Sequence, residues 1–121
     1  MANNETTIQN EIMAALSSDG CLVWRQHVGR FRQMYSDGVV NVGVPGMADI
    51  GAIVPVTITA DMIGSTVGVY VGIEVKTATG KQRDGQKLWE LAIKKRGARY
   101  LIARSVDQAR DGLRRIFSQE P

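Results

Sequence analysis

Val69-Tyr70-Val71-Gly72-Ile73-Glu74-Val75-Lys76 decides the fold, through the helix and second strand it leads into. The apolar, β-branched start of this stretch reads as a buried strand, Val67 to Lys76. Thr77-Ala78-Thr79-Gly80-Lys81 is a turn, and Asp84 starts a helix whose apolar positions Leu88, Trp89, Ala92 and Ile93 are expected on one face. Gly97 closes that helix, and Arg99 to Arg104 is a second strand. Strand, helix and strand in that order make a β-α-β crossover, which sets the two strands parallel.

Working outward, Thr6 or Thr7 caps a first helix through about Leu16, with Ile8, Ile12, Ala15 and Leu16 at helical spacing and Ser17-Ser18-Asp19-Gly20 as its end. Cys21 to Trp24 is a strand. Arg25 to Arg32 is a basic loop or ragged hairpin, and Ser36 to Pro45 mixes Gly with Val as short extended pieces do. Ile50 to Val56 is a further strand, joined to the central one by a long connection, Thr57 to Thr66. Past the crossover, Ser105 caps a last helix with Val106, Ala109, Leu113, Ile116 and Phe117 as its buried face. Strands ahead of the crossover are free to be antiparallel, so the expected class is α/β, a mixed central β-sheet flanked by helices.

The 121 residues suit one domain, 1–121, with a core of its own. No run approaches the roughly 18 apolar residues of a membrane span, and the polar start Met1-Ala2-Asn3-Asn4-Glu5 is unlike a signal peptide, so a cytoplasmic protein without a membrane partner is expected. Cys21, the single cysteine, makes no internal disulfide, and His27 is the one histidine, so neither supplies a zinc site. Charge is divided along the chain. Residues 1–75 hold three Lys/Arg against seven Asp/Glu, −4, whereas residues 76–121 hold twelve against five, +7. A basic half favours a polyanionic partner, because cations beside phosphates release condensed counterions; a solvated helix surface has the same composition.

Glu74 and Lys76 are two charges in a strand that is otherwise apolar. With Val75 between them, a period of two points both the same way. Asp49 follows Pro45-Gly46-Met47-Ala48 and precedes the Ile50 strand. Two carboxylates and a lysine on adjacent strands suit a hard divalent cation, Mg²⁺ or Mn²⁺, which takes oxygen ligands, keeps several waters and accepts a substrate phosphate. The lysine then orients water or stabilises charge on the phosphate. By spacing alone, Glu74 and Lys76 equally describe an exposed ion pair of little energy, and Asp49 a turn residue that satisfies nearby backbone.

In this order, Gly46-Met47-Ala48-Asp49-Ile50, Gly72-Ile73-Glu74-Val75-Lys76-Thr77, Gly80-Lys81 with Gln86 beyond, and Ile102-Ala103-Arg104-Ser105-Val106-Asp107 resemble the VRR-NUC branch of the PD-(D/E)xK nucleases, over Glu11 to about Leu113. The resemblance implies a restriction-endonuclease-like α-β-β-β-α-β-α core. It implies that Asp49 and Glu74 bind the metal, that Lys76 is the catalytic lysine, that Glu11 is a supporting acid on the first helix, and that Gln86 lies near the active site. It makes Arg25 a candidate phosphate contact and puts Arg104 at a strand end near the site or the DNA. Arg30, Arg32, Lys81, Arg83 and Lys87 flank the site in sequence and are the other candidate DNA contacts.

The function expected from this resemblance is metal-dependent endonucleolytic hydrolysis of DNA by a homodimer. Branched DNA, with a four-way junction first, is the preferred substrate, and a flap or duplex the alternative. Two rivals stay open: a DNA-binding or assembly module that keeps the scaffold without activity, and an unrelated α/β protein in which Glu74 and Lys76 are a structural pair. Trp24 and Trp89 read as core, and so few aromatics disfavour stacking on successive single-stranded bases.

Overall fold

Glycine closes two helices of this chain by the same backbone geometry. In the computed structural model, which describes residues 4–34 and 37–118, the first helix, α1, runs Asn4–Ser18 and the second, α2, runs Asp84–Lys95. After α1, Gly20 at φ 95° donates to Ser17 O and Cys21 N to Leu16 O. After α2, Gly97 at φ 88° donates to Lys94 O and Ala98 N to Ile93 O. Both are Schellman closures, which need a left-handed residue and satisfy the last carbonyls. Ser17 and Ser18, expected to end α1, are its last turn.

Contacts divide the chain into two compact units, Met1–Val54 and Pro55–Pro121. In the first, α1 packs on β1 (Leu22–Arg25), which pairs antiparallel with β4 (Ile50–Ile53). Nested within that pair is a second antiparallel ribbon, β2 (Gly29–Arg32) with β3 (Val39–Val42). Ser36, where the extended pieces were expected to begin, lies outside the described residues. Arg25 pairs with Ile50 and Gly29 with Val42, so three residues on one side of the ribbon face seven on the other. The excess is taken up by Val44-Pro45-Gly46-Met47, a turn with Met47 N donating to Val44 O at 2.9 Å and Gly46 at φ 88°. Proline second and a left-handed glycine third are the marks of a type II turn. Cys21 and Ile53 are the buried residues of this unit. Strand β4 stops at Ile53 and not at Val56, because Pro55 has no N–H to give a ladder.

The second unit begins with irregular chain around a 3₁₀ turn, Ala60–Met62, within the long connection. The crossover follows as expected: β5 (Val71–Val75), α2, then β6 (Arg99–Ala103), with β5 and β6 parallel. Strand β5 is shorter than the apolar run that announced it. Its register starts at Val71 opposite Arg99, the second residue after the Gly97 closure, so residues 67–69 precede any partner strand.

Register places Gly72, Glu74 and Lys76 on the face of Tyr100, and Ile73 and Val75 on the face of Leu101 and Ala103. Helix α2 covers the first face: a Cβ at Gly72 would lie 3.2 Å from the Tyr100 ring and 3.3 Å from Ile93 Cδ1. The third helix, α3 (Val106–Phe117), covers the second, with Gly112 against Leu101. Ile93, Ala98, Tyr100, Leu101 and Ala103 form the core. Leu88 does not join it and is exposed, since at 100° per residue it lies far around the helix from Ile93. Val106 and Phe117, at the two ends of α3, are likewise exposed, while Ala109, Leu113 and Ile116 are half-buried. On α1 the stripe is shallower than expected, with Ile8 and Ile12 exposed.

The chain is therefore α/β, with three α-helices among the described residues. Among the described residues its strands pair two by two, β1–β4, β2–β3 and β5–β6, in place of the one mixed sheet expected. The reason is local pairing: β1 to β4 satisfy one another as a folded-over ribbon, and β5 and β6 are joined by their own crossover. No helix among the described residues is long and apolar enough to cross a membrane.

Candidate catalytic site

Glu74 and Lys76 stand at the end of β5, where the chain leaves the ladder. Lys76 Nζ lies 3.5 Å from Glu74 Oε1, and the two side chains are only 12% and 27% exposed. This is not the open surface pair that spacing alone allows. A lysine carries three donors, and this mostly covered side chain sets its ammonium beside a single carboxylate oxygen at a long distance. A charge so placed gains little stability from its pairing and loses hydration.

Gln86 is the third member. It sits in the first turn of α2, accepts from Arg83 N at 2.9 Å through Oε1, and donates through Nε2 to Glu74 Oε1. The first bond is one half of a capping box; the reciprocal half is closed to Arg83, whose guanidinium has no acceptor. One amide thus ties the start of α2 to the end of β5 and brings Glu74 to the positive end of the helix. Both contacts to Glu74 fall on Oε1, and Oε2 takes none among the described residues. The pair is held from behind by the turn at Thr77–Gly80, which lies against the Lys76 side chain. Lys81, Arg83 and Lys87 are exposed around the start of α2.

The remaining expected residues belong to the first unit, apart from Arg104. Asp49 is exposed just ahead of β4. Its backbone is fixed by Gln26, whose N–H donates to Asp49 O at 2.9 Å and whose side chain donates to Ala48 O at 3.0 Å. The preceding turn is closed by Met47 N, so the Asp49 carboxylate is not the turn's hydrogen-bond partner. Glu11 is exposed on α1. Arg25 is engaged within its own unit, donating to Gln9 Oε1 at 2.7 Å and to Asn10 Oδ1.

Arg30 and Arg32 share one face of the β2–β3 ribbon with Asn41 and Val39. The other face carries Phe31, Val40 and Val42, all exposed. An open cavity of about 360 Å³ borders Arg30, Asn41 and Pro45 at the ribbon's root. Arg104, past the end of β6, donates to Thr77 O at 3.1 Å.

Among the described residues no three His, Cys, Asp or Glu side chains gather as a ready metal cluster. The donors at β5 are nonetheless of the right kind for a hard cation, since a carboxylate oxygen is left free and such an ion needs one or two carboxylates besides phosphate and water. Comparison with family models, curated proteins and solved structures gives no match.

Two features escape the sequence pattern. Glu90 on α2 accepts from Gln82 at 2.7 Å and from Lys94 at 2.6 Å, and these bonds, Gln82 first, hold its carboxyl below the ordinary carboxylate range. The Glu90–Lys94 spacing of four announces its half, whereas Gln82 reaches back from the turn and no periodicity marks it. The bond from Arg104 to Thr77 spans 27 residues and has no local signal either.

Proposed function

We propose that the chain is a metal-dependent DNA endonuclease in which Lys76 is the catalytic lysine. The observation that carries this reading is the state of Lys76, a lysine with a mostly covered side chain facing a carboxylate whose second oxygen takes no hydrogen bond among the described residues. A module that only grips DNA has no use for a carboxylate withdrawn beside the phosphate path. A structural ion pair would be expected to close at hydrogen-bond distance and to use more of the lysine's donors.

Glu74 would hold Mg²⁺ or Mn²⁺ through Oε2, and Asp49 is the second oxygen ligand that the sequence resemblance implies. When bound, such an ion lowers the pKa of water and polarises a phosphate oxygen. The chain's own residues do the rest. Lys76 places positive charge where the phosphate gains negative charge in the transition state. Gln86 fixes the Glu74 carboxylate by one oxygen and so aims the other. Lys81, Arg83 and Lys87 offer cations for neighbouring phosphates, as do Arg30 and Arg32 on the ribbon.

The order of elements supports the same reading. Taking the β2–β3 ribbon as an insertion, α1, β1, β4, β5, α2, β6 and α3 follow the α-β-β-β-α-β-α order of the restriction-endonuclease-like core. By the same resemblance the enzyme acts as a homodimer on branched DNA, a four-way junction before a flap or plain duplex.

The test is a cleavage assay with Mg²⁺ or Mn²⁺ on junction, flap, duplex and single-stranded DNA. Glu74→Ala and Lys76→Ala should each lower the rate at least about a hundredfold, in the range seen when a group that stabilises transition-state charge is removed. Activity unchanged in both variants sinks the assignment. Calorimetry with Mn²⁺ checks the ligands separately: binding should weaken in Glu74→Ala and in Asp49→Ala, and heats unaffected by either change would count against a metal site.

A further inference from the structure

The ladder between β5 and β6 continues one step past the strands, where Lys76 N donates to Ala103 O at 3.1 Å. Since Val75 pairs with Ala103, the next residues, Lys76 and Arg104, are neighbours. Two cations side by side on adjacent strands repel, and one acid, Glu74, lies on the same face. Lys76 is the one that faces it. Arg104 donates instead, through Nη1, to Thr77 O at 3.1 Å.

That carbonyl has a second duty. It accepts Gly80 N at 3.2 Å, which closes the turn after Lys76. The turn folds back on the lysine's own stem: a Cβ at Gly80 would stand 3.5 Å from both Cβ and Cδ of Lys76. The far end of the strut is also fixed. Arg104 N donates to Gln108 Oε1 at 2.8 Å, and Gln108 N to Ser105 Oγ at 3.1 Å, so the strand-to-helix corner that carries the guanidinium is braced by its own cap.

We infer that Arg104 is a positioning residue for Lys76: from the braced corner it pins the Thr77 carbonyl, holds the turn on the lysine stem, and leaves Glu74 to Lys76. The arginine acts through the turn and not by touching the substrate. The inference rests on the reading of Lys76 as the catalytic lysine only for its consequence in activity. The packing itself is testable without any cleavage.

The full chain is treated with a limiting amine-acetylating ester, and each lysine's rate is read by mass spectrometry. In the wild type Lys76 should react more slowly than Lys81, Lys87 and Lys95. In Arg104→Met the Lys76 rate should rise about tenfold relative to Lys95, the scale expected from losing one charge-assisted hydrogen bond that holds a local closed state. Arg104→Lys, which keeps a cationic donor, should restore most of the protection. An unchanged Lys76 rate in folded Arg104→Met overturns the inference.

Should Arg104→Met lose its helical circular dichroism, Arg104→Lys and Arg104→Gln decide: protection must follow donor strength, Arg before Lys before Gln, and equal rates overturn it. In the cleavage assay, Arg104→Met should lower kcat with KM for DNA unchanged and Arg104→Lys should recover most of it, whereas a raised KM at unchanged kcat would make Arg104 a DNA contact and refute the positioning role. A wild type that cuts no DNA ends the nuclease reading and leaves the labelling result standing; unaltered labelling ends this inference whatever the DNA result.

Discussion

At the scale of single residues, burial without a partner is as informative as pairing. The Tyr100 hydroxyl is buried with no hydrogen-bond partner among the described residues, under a ring packed over Gly72. Tyr100→Phe should therefore leave stability unchanged or raise it by up to about 1 kcal/mol in denaturant unfolding, since an unmade hydrogen bond is removed. A clear loss would show that the hydroxyl is bonded in solution. Glu90 is the opposite case. Its folded-state pKa lies below the unfolded one, so its contribution to stability is fully present above the unfolded value and is lost as pH falls through the folded value. Glu90→Gln should flatten the acid limb of the stability curve, and thermal unfolding between about pH 3 and 6 measures it, a window that brackets an ordinary glutamate; parallel curves for the two proteins would contradict the pairing. Glu74 and Lys76 were legible because a period of two makes same-face neighbours of residues two apart. The amide of Gln86 reaches Glu74 across a crossover, and only the assembled β5–α2 corner brings it there.

At the scale of elements, local chemistry set most boundaries and pairing set the rest. Ser105, Gly20 and Gly97 mark helix ends by capping physics, and Asp84 marks the start of α2 as an acid in its first turn; all were readable as such. Pro55 was in plain sight and still shortened β4, because a strand is limited by its donors as well as by its apolar run. The residues at 67–69 look like strand and have no partner strand among the described residues, which no window of sequence reports. All three cations of the first unit, Arg25, Arg30 and Arg32, fall within eight residues, and Arg25 is tied to α1. If the β2–β3 ribbon meets DNA, Arg30→Ala with Arg32→Ala should lower the slope of log K against log salt by about 2, one for each phosphate no longer neutralised. Fluorescence anisotropy on a duplex at several salt concentrations measures that slope, and an unaltered slope would take the ribbon out of the interface.

For the whole molecule, the order of elements was legible and the sheet was not. Strand counts and a crossover lead one to expect a single mixed sheet, yet strands that can satisfy one another within their own unit do so, and a one-dimensional pattern does not say where pairing stops. The candidate site divides in the same manner. Its β5 side is geometry within one unit, while the part of Asp49 rests on resemblance. The homodimer that the proposed function carries should give, by light scattering, twice the chain's 13.2 kDa; a single-chain mass at working concentration would remove it.

The ribbon of the first unit also has a weak joint. Because seven residues answer three between its inner and outer ladders, the two share no continuous run of hydrogen bonds, and the inner one has both faces in solvent while the outer one lies against α1. Opening should then begin at the tip and halt at the Pro45-Gly46 turn, so that the laddered amide hydrogens of Phe31 and Val40 exchange well before those of Trp24 and Ile53. The turn would behave as a firebreak, letting the arm breathe while the strand that follows Asp49 stays shut.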